Sequence, residues 1–231
     1  MNILVTGTSR GIGRATAEYY LSKGFTVIGC SRSFDNIIED KNYSHYICDV
    51  TNEDDIKTMI RSIKKQYSYL DVLINNAGMA SMNHFLLTPK STYDKLFSVN
   101  TLGTFLMCRE CSKIMRKSQN PSIVNFTTVA VPLNLEGEAL YVASKSAVES
   151  LTRVISKELS SMKIRVNAIG PTPVDTSLIA GVPEEKIELL LKSQTIKRKG
   201  KFDDVLNVLD FFISERSTFI NGQILYLGGV N

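Results

Sequence analysis

The stretch NILVTGTSRGIG, residues 2–13, runs from an apolar segment straight into a glycine-rich turn and then into a helical pattern. Ile3, Leu4 and Val5 follow one another without a polar interruption. Such a run marks a strand buried on both faces, as strands are in parallel sheets covered by helices. Gly7, Gly11 and Gly13 let the backbone turn tightly and approach another group closely, with Ser9, Arg10 and Ile12 between them. The helix that follows opens with free N–H groups, which attract negative charge. A glycine turn can be purely structural. Placed between the first strand and first helix of a doubly wound sheet, it reads as a cradle for the phosphates of a dinucleotide.

The same alternation continues along the chain. Apolar runs recur at FTVIGCS, SHYICDV, LDVLINNAG, SIVNFTTV, KIRVNAIGP and GQILYLGG, and helical patterns cover 11–23, 53–67, 92–117, 138–162 and 202–214. Seven apolar runs alternating with helices predict an α/β fold with a seven-stranded parallel sheet flanked by helices. Between the second and third runs, RSFDNIIEDKNY leaves room for at most a short helix. No linker, low-complexity tract or repeat divides residues 1–231, so one domain is expected. Ligands of such folds bind beyond the carboxyl ends of the strands, where the chemistry is to be sought.

Composition excludes several classes. The net charge of +4 is spread along the chain, which argues against nucleic acid and membrane surfaces as partners. No apolar run approaches the roughly 18 residues of a spanning helix. MNILVTG enters a strand without the features of a signal peptide, so a cytoplasmic location is expected. Cys108 and Cys111 form a C-x-x-C, but inside a helical pattern, and His45 and His84 have no partner at ligand spacing. Inert buried thiols and no metal site are expected. The basic tract KRKGK, 197–201, is read either as a solvated turn or as a region that steers an acidic carrier protein.

In LYVASK, residues 140–145, Tyr141 and Lys145 stand one helical turn apart and share a face. Alone, that spacing is common on solvated helices. In company it is distinctive. The G-x-x-x-G-x-G spacing of Gly7, Gly11 and Gly13 resembles the fingerprint of the short-chain dehydrogenase/reductase family, and further matches follow in family order: CDVT with Asp49 and Val50, NNAG with Asn76, Ala77 and Gly78, SVN with Asn100, YVASK, and GPTPVDT with Pro171, Val174 and Thr176. The resemblance covers almost the whole chain and is nearest the 3-oxoacyl-carrier-protein reductase type.

It implies a Rossmann-type domain whose cofactor contacts come from those segments. Tyr141 is implied as general acid or base, and Lys145 as the group that lowers the phenol's pKa and holds the nicotinamide ribose. Asn100 is implied in a proton relay. The family's substrate-orienting Ser, 13 positions before the Tyr, is here Thr128, with Thr127 as rival, and Thr172 stands where the family has Gly. Ser31 and Arg32 end the second run where an acidic residue would select NAD, and Arg10 lies in the glycine turn, so NADP(H) is expected.

Three functions are carried forward. The first is reduction of a small ketone or 3-oxoacyl thioester, free or on a carrier protein. The second is the same hydride chemistry in sugar or secondary-metabolite biosynthesis. The third is nucleotide binding without catalysis. The resemblance and the apolar succession Phe105, Leu106, Met107, Cys108 imply a homo-oligomer, dimer or tetramer.

Overall fold

The computed structural model describes residues 1–230. All seven apolar runs form strands: β1 (Asn2–Thr6), β2 (Thr26–Ser31), β3 (Tyr43–Ile47), β4 (Val72–Asn75), β5 (Ser122–Phe126), β6 (Arg165–Gly170) and β7 (Ile224–Tyr226). They make one sheet in the order β3-β2-β1-β4-β5-β6-β7, and every pair is parallel. The order reverses between β1 and β4, which opens a crevice at their carboxyl ends.

Neighbouring side chains on a strand point to opposite faces. Thus Leu4 joins an apolar layer with α2 (Glu53–Tyr67) and α4 (Thr104–Met115), through Ile56, Ile63, Leu106 and Met115. Ile3 and Val5 join the other layer, with α1 (Gly11–Ser22) and α8 (Phe202–Ile213), through Ala17, Tyr20, Leu209 and Phe212. The start of α2 is fixed by Asn52, whose side chain accepts from the amides of Asp54 (2.9 Å) and Asp55 (3.3 Å). Its acidic first turn and basic last turn, Lys64 and Lys65, complement the helix dipole. Residues 32–42 connect β2 to β3 without a helix.

The helix expected over 92–117 is divided. It comprises α3 (Lys90–Leu96), a π-helical segment (Phe97–Gly103) and α4. The widened turn holds Asn100 against Met79, and it lets Gly103 pack so closely on Val50 that a Cβ there would lie 2.9 Å from Val50 Cγ2. Three further α-helices lie among the described residues. α5 (Ala130–Leu133) is a single turn, α6 (Ala139–Glu158) carries LYVASK, and α7 (Glu184–Ser193) lies within the lid-like segment after Thr176.

Cys108 and Cys111 are free and fully inside α4, and burial pushes the Cys108 thiol up to about 12. The 197–201 tract is tied down by ion pairs. Arg198 Nη1 lies 2.6 Å from Asp204, and Lys199 lies 3.2 Å from Asp175 and 3.4 Å from Glu184.

Arg165 is buried at the start of β6, where its Nη1 donates to Phe212 O (2.7 Å), Ser217 O (3.1 Å) and Ser217 Oγ (2.8 Å). Arg165→Ala would leave those acceptors dry and detach the end of α8. The expected loss is about 3 kcal/mol of unfolding free energy, the upper range for hydrogen bonds to a charged group. Urea denaturation followed by circular dichroism measures it.

Candidate active site

The turn after β1 is shaped by its glycines. Gly7 (φ +75°) and Gly11 (φ +59°) occupy the left-handed region. Gly13 has no room for a side chain, since a Cβ would lie 2.3 Å from Gly7 O and 2.3 Å from Asn76 Nδ2. Asn76 in turn donates to Thr6 O (2.9 Å), and the Ala77 amide donates to Thr6 Oγ1 (2.9 Å). These bonds lock the segment after β4 onto the glycine turn. Helix α1 starts at Gly11, and Arg10 at its N-cap makes no side-chain capping bond, with no acidic residue in the first turn. Its first N–H groups therefore remain available to an anion. This uncapped, glycine-rich cradle fits the pyrophosphate of a dinucleotide.

The other residues named for the cofactor surround the same crevice from different strands. Ser31 ends β2 and the exposed Arg32 follows it, while Arg10 is exposed in the glycine turn, with no hydrogen bond or ion pair from either guanidinium among the described residues. Asp49 and Val50 follow β3, and one Asp49 carboxylate oxygen is engaged locally by Thr51 N (2.9 Å) and Thr51 Oγ1 (2.8 Å).

Tyr141 and Lys145 lie on the buried face of α6, in its first two turns. Lys145 Nζ donates to Phe126 O at 2.8 Å. Asn100 accepts from the Met79 amide (2.9 Å) and donates to Met79 O (2.9 Å) and Ser144 Oγ (3.0 Å). Ser144 Oγ donates to Tyr141 O at 2.8 Å, so the π-helical segment is tied directly to the tyrosine's own turn. At Gly78 a Cβ would lie 3.3 Å from Asn100 Oδ1 and 3.4 Å from Lys145 Nζ, which brings three separate segments to one point.

Strand alternation separates the two threonines. Thr127 Oγ1 donates to Glu149 Oε1 (2.7 Å), away from the tyrosine, whereas the Thr128 hydroxyl acts on the Tyr141 phenol. Thr172, in the position where glycine was expected, is buried and pairs its hydroxyl with Gln194. Its methyl packs on Gly200, where a Cβ would lie 2.9 Å from Thr172 Cγ2.

The electrostatics correct one expectation. Lys145 was to lower the pKa of Tyr141, but burial pushes the phenol up to about 12, and the Glu138 charge adds to this while Thr128 partly offsets it. Burial likewise brings Lys145 down to about 8. Both groups share one dry corner, which penalises the charged form of each, and the ammonium is directed at a backbone carbonyl.

A sequence model described as enoyl-(acyl carrier protein) reductase matches residues 7–231. The 3-oxoacyl-[acyl-carrier-protein] reductase of Thermotoga maritima is 31% identical over 234 residues, covering 98% of this chain and 95% of its own. The chain belongs to the short-chain dehydrogenase/reductase family.

Two further proteins are similar to a comparable degree. A short-chain type dehydrogenase/reductase of Picea abies is 30% identical over 244 residues, covering 98% of this chain and 90% of its own. The solved structure of Thermoplasma acidophilum aldohexose dehydrogenase is 34% identical, with a TM-score of 0.88 over 99% of this chain and 93% of that one. As a short-chain dehydrogenase/reductase, the chain is a nucleotide-binding oxidoreductase.

Above Tyr141 lies a cavity of about 390 Å³. Thr128, Tyr141 and Lys145 form part of its lining, Pro171, Val174 and Thr176 another wall, and Met82, Leu135, Ile187 and Leu190 much of the rest. Among the polar groups in it that were not singled out from the sequence are Glu138, one turn before Tyr141, and Lys186 on α7. Burial pushes the Glu138 carboxyl up to about 7, with Lys186 pulling it back down. Their signals were present, as Glu138 shares the helix face of Tyr141 and Pro183 followed by Glu184 and Glu185 is a helix-start pattern.

Proposed function

We propose that this enzyme interconverts a carbonyl and a secondary alcohol on a small hydroxyl-bearing molecule of the sugar or secondary-metabolite kind, with NADP(H) as cofactor. The observation that carries the substrate class is Glu138, a half-buried carboxylate in a largely apolar cavity, one helical turn from Tyr141, with the exposed Glu136 at the same wall. A carboxylate there accepts hydrogen bonds from substrate hydroxyls and finds no partner on a plain acyl chain. The similar aldohexose dehydrogenase structure supports this reading. The apolar walls and the 3-oxoacyl-carrier-protein reductases among the relatives favour a second one, reduction of a 3-oxoacyl thioester. Paired turnover assays on hydroxyketones or aldoses and on acetoacetyl thioesters decide between them, with Glu138→Gln expected to weaken only the hydroxylated substrates.

The bound nicotinamide would exchange a hydride with the substrate carbon. Tyr141, protonated at neutral pH, donates to the carbonyl oxygen in reduction and recovers the proton in oxidation. Thr128 offers a second hydrogen bond to that oxygen, in the role of the family's Ser. Lys145 is largely protonated at neutral pH, and with Asn100 it keeps the polar side of the site ordered.

The choice of NADP(H) rests on Arg10 and Arg32, whose guanidiniums pair with none of the described residues, and on Ser31 at the end of β2. Each substitution to Ala is expected to weaken NADPH binding by about 1.5 to 3 kcal/mol while leaving NADH affinity nearly unchanged. Fluorescence titration with the two cofactors measures this, and equal affinities in the unaltered protein would refute it.

Exposed Leu102 and Phe105, together with Val154 on α6, leave apolar surface on two helices, so we also expect a homo-oligomer. Light scattering should give a multiple of 25.7 kDa at micromolar concentration.

A further inference from the structure

The two turns that follow β1 and β2 are joined by a chain of polar side chains that no cofactor motif accounts for. Tyr43 OH lies 2.9 Å from Thr8 Oγ1 in the glycine turn and 2.9 Å from His45 Nδ1. His45 Nε2 lies 3.0 Å from Ser31 Oγ and 3.3 Å from Ser33 O, and Ser31 Oγ donates to Ser33 O at 2.7 Å. The route exists because Gly29 has no side chain: a Cβ there would lie 1.9 Å from Tyr43 OH.

The donors and acceptors assign a direction. Thr8 donates to Tyr43, Tyr43 to Nδ1, Nε2–H to Ser31, and Ser31 to the Ser33 carbonyl. Tyr43 and Ser31 then each donate once and accept once, and Thr8 supplies the first proton of the chain. That pattern requires a neutral imidazole with its proton on Nε2. It also commits the Ser31 hydroxyl inward, to His45 and the Ser33 carbonyl.

We propose that His45 is a specificity-determining positioning residue for the cofactor's 2′-phosphate, holding Ser31 inward when no phosphate is present and taking up a proton from solvent when the phosphate binds. This rests on the assignment of the phosphate to Arg10, Arg32 and Ser31. A phosphate there draws the Ser31 hydroxyl outward and favours a cation behind it. Nδ1–H of the imidazolium donates to Tyr43, which turns its own proton toward Thr8, and Nε2–H keeps the Ser33 carbonyl. The reversal passes from the second turn to the first. NAD(H), lacking the phosphate, triggers none of it.

The surroundings allow this. Burial disfavours the imidazolium, the Ser33 carbonyl favours it, and no carboxylate acts on the ring. The groups that face it are Tyr43, Ser31, Ser33 and the Phe34 ring at 5.7 Å, while Arg14 and Cys30 act on the chain only through Tyr43. A negative charge arriving from the cofactor is therefore the one large new influence on the imidazole.

The chain has two histidines, so imidazole NMR signals of the intact protein are easily assigned, with exposed His84 as internal reference. Titrations are compared for the protein alone, with NADP⁺ and with NAD⁺. NADP⁺ is expected to move the His45 midpoint to higher pH and NAD⁺ to leave it in place. In parallel, His45→Gln removes the titration. Its preference for NADP⁺ over NAD⁺ should fall by about tenfold near pH 6, the lower end for a hydrogen bond to a charged group, and no longer change with pH beyond the phosphate's own ionisation near about 6. Tyr43→Phe keeps the ring over Gly29 but cuts the chain at its centre, and should lose part of the same preference. An unchanged His45 midpoint in a protein that still prefers NADP⁺ overturns this proposal alone. Equal affinity for the two cofactors overturns the phosphate assignment beneath it.

Discussion

Tyr141→Phe is expected to bind NADPH with unchanged affinity while kcat falls about 10²- to 10⁴-fold, the range for removing a general acid. Only one oxygen is lost from a buried ring, so the packing of α6 is kept. Thr128 provides the comparison. Thr128→Val removes the second donor and should lower kcat less, and Thr128→Ser keeps the hydroxyl and should retain activity. Steady-state kinetics on the best substrate found, with a separate cofactor titration, give the ordering Ser above Val above Phe. Full activity in Tyr141→Phe would mean that the proton travels by another route.

Lys145→Met is expected to lose activity to a similar extent, about 10²-fold or more, yet to melt at a higher temperature at pH 7. In the folded protein Lys145 titrates at about 8 against 10.5 in the unfolded chain. Between those values the unfolded chain holds a proton that the folded one does not, so this group's contribution to stability rises with pH. Below about 8 the folded protein carries a buried ammonium at a cost, and methionine removes that cost. Part of the gain is lost because Phe126 O forfeits its donor. The net gain at pH 7 is expected to be about 1 kcal/mol, or about 2 to 4 °C. The difference in melting temperature should shrink as pH rises from 8 toward 10.5. A variant that melts lower than the parent at pH 7 would show that the ammonium stabilises the fold.

Much of this architecture was legible before any coordinates. Strands buried on both faces are apolar throughout, so inner strands could be read from runs such as NILVT and SIVNF without knowing their partners, while the half-buried edge strands β3 and β7 were read from the continuing alternation with helices. The motifs were legible because they follow strand ends, where chain order and spatial position coincide. The π-helical segment was not. Leu96, Leu106 and Met107 continue a helical apolar pattern across it, and the extra width of the turn comes from tertiary bonds between Asn100, Met79 and Ser144 that no local periodicity encodes. The pKa of Tyr141 was misjudged for a related reason. Spacing shows that Lys145 is a neighbour, but only packing shows that both groups are dry and that the ammonium faces Phe126 O. Cavity-wall residues such as Glu138 and Lys186 lie far apart in the chain and meet only when α7 closes over the 134–138 turn, where the Lys186 ammonium would lie 3.4 Å from a Cβ at Gly137.

The π-helical segment at Phe97–Gly103 makes the long helix a device of phase. A π-turn places one more residue in a turn than the α-helix does, so everything after it is rotated by about 100° relative to an unbroken helix. Asn100 meets Ser144, and Leu106, Cys111 and Met115 meet the sheet, only because that rotation has been made. Exchanging one side chain for another within 97–103, away from Asn100 and Gly103, leaves the phase intact. Deleting a single residue would regularise the helix and swing Asn100 away from α6, or else turn the buried stripe of α4 toward solvent. Variation in this part of the enzyme is thus constrained in length before it is constrained in composition, and recombination points inside it should be sterile even between otherwise compatible relatives.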